Sequence, residues 1–182
     1  RRQRQMCIRD RGMITSVDRE IGARIKAIVD HGRDGSLQSQ EVGTNMRMSE
    51  VFAAIGRVQL KHLDDWLDAR RSNAATLSSV IATNPKLEAP QVRPDSGHAW
   101  HQYCVQADNT ESFIQHMSHH HIDVRQIYPV PCHQHPVYNE HRQAGGEFPV
   151  TSRLSKQLVS IPVHHGLTEV ELDRIIKALI SY

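Results

Sequence analysis

The sequence predicts an α/β protein in three parts: the end of a larger domain, one long linking helix, and a small α/β domain. Three observations carry that prediction. The stretch 43–84 holds a continuous helical pattern. Beyond residue 95, strand-like and helix-like segments alternate. Residues 12–42 offer one strand and one helix without a sheet, and a lone strand cannot satisfy its backbone groups.

The composition narrows the class. A chain of 182 residues suffices for one domain or one and a piece. The net charge of +2, with no basic stripe interleaved with aromatics, argues against a nucleic-acid partner. Cys7, Cys104 and Cys132 are odd in number and widely spaced, which fits a reducing compartment better than a disulfide framework. No apolar run approaches the ~18 residues of a transmembrane helix. No apolar segment follows the first arginines, as a signal peptide requires. The expectation is a cytoplasmic protein without a membrane partner.

Taken in order, residues 1–11 (RRQRQMCIRDR) hold five arginines and no periodic apolar pattern. They read as a basic arm. The string MCIRDR resembles a translated sequencing adaptor more than coded protein. Residues 12–16, from Gly12 to Ser16, form a short strand-like piece. A helix starts at Asp18, with Ile21, Ile25, Ile28 and Val29 on one face, and His31-Gly32 closes it. Residues 33–42 are a polar loop. The long helix follows, with Ser49 as N-cap and Glu50 in its first turn. Its stripe falls at Met48, Val51, Phe52, Ile55, Val58, His62 or Leu63, Trp66 or Leu67, Ala74, Leu77 and Ile81, with gaps mostly of three and four. Asn84-Pro85 stops it. About 33 residues at ~1.5 Å each would reach about 50 Å, enough to link two packing environments.

Pro85, Pro90 and Pro94 mark an extended connector. Residues 100–107 read as a strand. Asn109 or Thr110 caps a helix carrying Phe113, Ile114 and Met117, which runs out in three histidines. Residues 122–128 are a second strand, and 129–146 a long irregular loop. Thr151 or Ser152 caps a helix with Leu154 and Leu158, and residues 160–164 are extended. Thr168 and Glu171 form a capping box before a helix that buries Leu172, Ile175, Ile176 and Leu179.

Several side chains are suited to binding. Asn45 either donates to an anion at a helix entrance or merely turns the chain before Ser49. Arg47 offers a guanidinium fork for phosphate or a structural ion pair. Tyr128 and His133 sit in a proline-stiffened loop, for hydroxyl recognition or for loop packing. His98 and His101 either point into the same cleft or, as the strand pattern favours, sit as satisfied strand histidines. A metal site at His119–His121, or at His133, His135 and His141, is the rival. Consecutive histidines cannot all face one ion, and the second set lacks a recognised zinc spacing. No metal is expected.

The motifs then match a pattern in order. They are Asp30-His31-Gly32; Gly43-x-Asn45-x-Arg47-Met48; Glu50-x-x-Ala53-Ala54-Ile55-Gly56-x-x-Gln59-Leu60; and His98-x-x-His101-x-Tyr103. Next come Tyr128-Pro129-x-Pro131-x-His133-x-x-Pro136-x-Tyr138, Phe148-Pro149-Val150, Ser160-Ile161-Pro162 and Leu167-Thr168. Over residues 12–182 the chain resembles the DegT/DnrJ/EryC1/StrS sugar aminotransferases, which have the fold-type I architecture of pyridoxal-phosphate enzymes.

The resemblance implies the rest. Residues 12–42 would end the cofactor-binding large domain, 43–84 would be the linking helix with a cofactor-proximal entrance, and 85–182 the small domain. The arm 1–11 would lie outside the family pattern. Gly12-Met13 is similar to the end of the glycine-rich segment that follows the family's Schiff-base lysine. That lysine would fall upstream of Gly12, about nine residues before Met13, where this chain has none. The chain is thus expected to be a C-terminal portion, inactive alone and with no catalytic residue of its own. Lys26, Lys61, Lys86, Lys156 and Lys177 read as solvated surface. Asn45 would reach the cofactor phosphate of a neighbouring subunit in a homodimer. Arg47, Tyr128 and His133 would face the sugar nucleotide. The implied reaction moves an amino group from glutamate to a nucleotide-linked keto-sugar. The family's dehydratase branch, or a non-catalytic dimerisation domain, are the alternatives.

Overall fold

The computed structural model describes residues 14–36, 38–141 and 148–182; for 139–141 it describes the backbone alone. The chain divides into two units, residues 1–61 and 62–182.

The first unit is built on helix α1, Arg19–Val29. Asp18 caps it, its carboxylate accepting the Glu20 and Ile21 amides at 2.8 and 3.2 Å. His31 and Gly32 close it at φ 61° and 75°. The following chain then returns along the helix end. Thr44 N–H donates to Ile28 O at 2.8 Å, and Met46 N–H to Val29 O at 3.0 Å. Asp30 and Asn45 form an antiparallel bridge. Two glycines allow this close return: a Cβ on Gly43 would lie 2.1 Å from Gly32 N, and one on Gly32 1.8 Å from Glu41 O. The expected strand from Gly12 to Ser16 needs correction where it can be seen: residues 14–16 are not a strand. No neighbouring strand among the described residues offers them a ladder. Gly12 and Met13, on which the position of the Schiff-base lysine was reckoned, lie outside the described residues, as does the arm upstream of Gly12. Helix α2, Glu50–Leu60, follows. Ser49 is its N-cap, but its side chain makes no capping bond.

The long linking helix of the sequence reading is two helices. Helix α3, Leu63–Ile81, is separate from α2. His62, at φ −107° and ψ 1°, leaves the helical region. Lys61 N–H closes on Val58 O at 3.2 Å, a tight 3₁₀-type end. Leu60 and Leu63 keep a helical step of three across this break, so the apolar spacing does not mark it.

The second unit is a four-stranded antiparallel sheet in the order β1-β2-β4-β3. Its strands are β1 Leu87–Glu88, β2 Tyr103–Ala107, β3 Arg125–Gln126 and β4 Leu158–Ile161. The central register sets Tyr103 opposite Ile161 and Val105 opposite Val159. Alternation sends Tyr103, Val105 and Ala107 into the core. There they meet Ala74, Leu77 and Ile81 of α3, together with Phe113 and Met117 of helix α4, Thr110–His119. The last helix, α6, Glu169–Ser181, adds Ile175, Ala178 and Leu179. Asn84 Nδ2 donates to Leu179 O at 3.0 Å and ties the end of α3 to α6. Helix α5, Pro149–Gln157, joins the sheet through Arg153 Nη1, which donates to Gln106 Oε1 at 3.2 Å.

The alternation of strands and helices after residue 95 is as expected, with three adjustments. Strand β1 lies inside the proline-marked connector, too short for periodicity to reveal. Of the expected strand 122–128, only Arg125–Gln126 pairs. Helix α5 begins at Pro149, ahead of Thr151 and Ser152. A proline fits there because the first helical amide has no partner to lose. Leu158 passes into β4.

The capping box at α6 is present. Thr168 N–H donates to Glu171 Oε2 at 2.8 Å, and Glu171 N–H to Thr168 Oγ1 at 3.3 Å. Bonding to the Thr168 amide and hydroxyl holds the Glu171 carboxyl below its ordinary value. A depressed carboxyl pKa contributes stability that is present above the unfolded value and is lost as pH falls through the folded value. Thr168→Ala is expected to cost about 1 kcal/mol, an ordinary threonine cap. Urea unfolding at two pH values checks it: the deficit near neutral pH should shrink once acid has taken Glu171 below its depressed folded value and protonated it in both chains. A deficit that is constant with pH would remove Glu171 from the cap.

Candidate functional site

Asn45 and Arg47 are brought together in the first unit. The return of the chain past α1 sets them beside Asp30. Arg47 Nε lies 3.3 Å from Asp30 Oδ1. Asn45 Oδ1 accepts Arg47 N–H at 3.4 Å and Arg47 Nε–H at 3.5 Å. Arg33 Nη2 binds the same Asp30 Oδ1 at 2.9 Å. This bond, reinforced by the nearby Arg47 charge, holds the Asp30 carboxyl below its ordinary value. Asp30 thus orients Arg47 and offsets its charge. In the sequence Asp30 stands only at the close of a helix, in Asp30-His31-Gly32. Nothing in sequence spacing joins residue 30 to residue 47; the signal was the shared motif order.

Tyr128 and His133 belong to the second unit. Tyr128 takes φ 51° and is 79% exposed. Aromatic residues avoid positive φ, so the backbone is strained at an exposed ring. Half-buried His133 packs at a tilt against the Phe148 ring, with centroids 4.9 Å apart, and lies 3.4 Å from Gln134 Nε2. Two 3₁₀ turns, Cys132–Gln134 and Pro136–His141, shape this loop. Residues 142–146 of the expected loop lie outside the described residues.

His98 and His101 precede β2 rather than lying in it. His98 Nδ1 accepts the Trp100 amide at 2.9 Å, so it is satisfied as expected. All five lysines are exposed, in agreement with a solvated role. Lys177 pairs with Asp173 at 2.6 Å, and Lys86 donates to Tyr182 O.

The donor set near Asn45 suits an anion. Its Oδ1 is occupied by Arg47 while Nδ2 makes no hydrogen bond among the described residues. A few residues on, the entrance of α2 lacks a side-chain cap.

A small antiparallel α/β domain following a helix pair, with an Asn/Arg return loop ahead of it, defines the class. The chain belongs to the DegT/DnrJ/EryC1/StrS aminotransferase family, whose model matches residues 2–180. It is 30% identical over 173 residues to the dTDP-3-amino-3,4,6-trideoxy-alpha-D-glucose transaminase of Streptomyces venezuelae, covering 95% of this chain and 46% of that protein. It is 30% identical to the dTDP-3-amino-3,6-dideoxy-alpha-D-galactopyranose transaminase of Aneurinibacillus thermoaerophilus, covering 94% and 46%. The structure resembles that of S. venezuelae DesV, solved in complex with a ketimine intermediate, at TM-score 0.85 and 29% identity, over 92% of this chain and 45% of the other. The chain thus spans less than half the length of the relatives it matches. Among the described residues no helix is long and apolar enough to cross a membrane.

Proposed function

We propose that the protein containing this chain is a cytoplasmic, pyridoxal-phosphate-dependent aminotransferase that transfers an amino group from glutamate to a nucleotide-linked keto-sugar. The observation that carries this is the family match over nearly the whole chain; both transaminase relatives are named for dTDP-linked amino sugars. Bound pyridoxal phosphate would supply the aldehyde that takes the amino group from one substrate and yields it to the other. The lysine that holds it would belong to the segment upstream of Gly12 in the whole protein. Asn45 would donate through Nδ2 to the cofactor phosphate, with the entrance of α2 adding a favourable field. Arg47, oriented by Asp30, would hold a substrate phosphate. Tyr128 and His133 would orient the sugar through its hydroxyls. In a homodimer, Asn45 would serve the partner's cofactor.

The test uses the full-length protein with ¹⁵N-glutamate and dTDP- or UDP-linked keto-sugars, read by mass spectrometry. A ¹⁵N-labelled amino sugar is the expected product. A deoxygenated sugar without nitrogen would move the protein to the dehydratase branch, and no conversion of any keto-sugar would overturn the proposal. Asn45→Ala should weaken cofactor binding about tenfold or more, the worth of a hydrogen bond to a charged group. Unchanged cofactor affinity would remove Asn45 from that role.

A further inference from the structure

The segment before β2 carries a device that the proposed reaction does not use. Trp100 is a buried aromatic residue at φ 48°. That conformation is unfavourable for a bulky L residue and persists only where its surroundings impose it. Two hydrogen bonds impose it here. Trp100 O accepts Arg70 Nη1 at 2.7 Å, and Trp100 N–H donates to His98 Nδ1 at 2.9 Å. The indole is then sandwiched, 4.2 Å from the His98 ring and 5.3 Å from the Tyr103 ring. Tyr103 is fully buried, and its hydroxyl bonds Ser78 Oγ at 2.7 Å. Trp100 therefore caps one end of the core.

The two bonds respond differently to acid. Arginine keeps its charge at every relevant pH, so the Arg70 bond is constant. An amide N–H donates only to an imidazole nitrogen with a free lone pair. His98 must therefore be neutral, with its proton on Nε2. Protonation makes Nδ1 a donor and turns it against the Trp100 N–H. The charged groups around it do not relieve that conflict. Arg70, from α3, brings a charge of the same sign to the other side of the segment. Tyr103, from β2, stays neutral. Within the segment, Asp95 is already paired with Arg93 at 2.8 Å, and His101 would add positive charge. An imidazolium would still attract the indole face, but that attraction does not require the positive φ.

We propose that His98 is a proton-operated latch: when neutral it locks Trp100 over the core, and when protonated it releases the strained backbone and the indole. Release would also rearrange a groove of about 280 Å³, to which Arg70, His101, Asp123, Ile161 and His164 contribute.

Trp66 and Trp100 are the two tryptophans of this chain, so in the 182-residue chain itself Trp66→Phe leaves Trp100 as the reporter. Its emission and acrylamide quenching would be followed from about pH 8 to about pH 5, the range in which histidine titrates, with far-UV circular dichroism monitoring the fold. The expected result is a red shift and about a twofold rise in quenching toward acid, with helix content unchanged. Adding His98→Asn keeps an acceptor near the Nδ1 position but cannot titrate, and should hold the buried spectrum throughout. Adding His98→Ala should expose the indole at every pH. An acid transition that survives His98→Asn, or none in the Trp66→Phe chain, would overturn the latch. If Trp66→Phe fails to fold, the difference between the unsubstituted chain and His98→Asn isolates the same signal, and its absence is equally decisive.

Discussion

Gly43→Ala is expected to undo the return loop of the first unit, at a cost of about 3 kcal/mol. The Cβ would lie 2.1 Å from Gly32 N and 2.7 Å from both His31 C and Ile28 O. All three neighbours are backbone, so no side chain can swing away. The only relief is to part the two segments, which breaks the bonds from Thr44 N–H to Ile28 O and from Met46 N–H to Val29 O. Asn45 and Arg47 ride on that segment and would lose Asp30. Gly56→Ala is the control. Gly56 lies inside α2 with nothing within 4 Å of a built Cβ, and alanine there should add about 0.5–1 kcal/mol by helix propensity. Amide protection at Thr44 and Met46 reads the first effect directly. Equal protection in the two variants would refute the close-approach argument.

Phe113→Ala should be the most damaging change in the second unit. The ring is fully buried and meets Tyr182 edge-on at 5.0 Å. Removing it forfeits the transfer energy of the ring and leaves a cavity among Met117, Leu179 and their neighbours, about 3–5 kcal/mol together. That is a large part of the roughly 5–15 kcal/mol typical of a whole domain. Urea unfolding followed by tryptophan fluorescence measures it. A loss under about 1 kcal/mol would mean that the site collapses to fill the hole.

Helices with a cap and a sustained stripe were legible in the sequence. Asp18, Asn109 and Thr168 each cap the helix expected of them. The core was legible where period and burial agree, at Leu77, Ile81, Phe113, Met117, Ile175 and Leu179. What escaped were features set by contacts distant in sequence. Strand β1 exists because Leu87 finds Ala107, and two residues have no measurable period. The break at Lys61–His62 contains neither proline nor glycine, and Leu60 and Leu63 keep a helical step across it, so the spacing reads as one continuous helix. Asp30 entered the candidate site for the same reason, since its partner is seventeen residues away. Trp100 looked like a strand residue because aromatics favour strands, yet its backbone is held at φ 48° by a histidine and an arginine.

The shape of the sheet bears on how this chain behaves in concentrated solution. Both outer strands are only two residues long. Among the described residues a neighbouring molecule therefore finds no long strand edge of unpaired amides and carbonyls to extend, and ribbon-like growth from this sheet is denied its template. Helix α2, with Val51, Ile55 and Val58 open to solvent, is the adhesive surface instead. Clumping of this chain should yield amorphous, helix-rich particles that do not brighten thioflavin T.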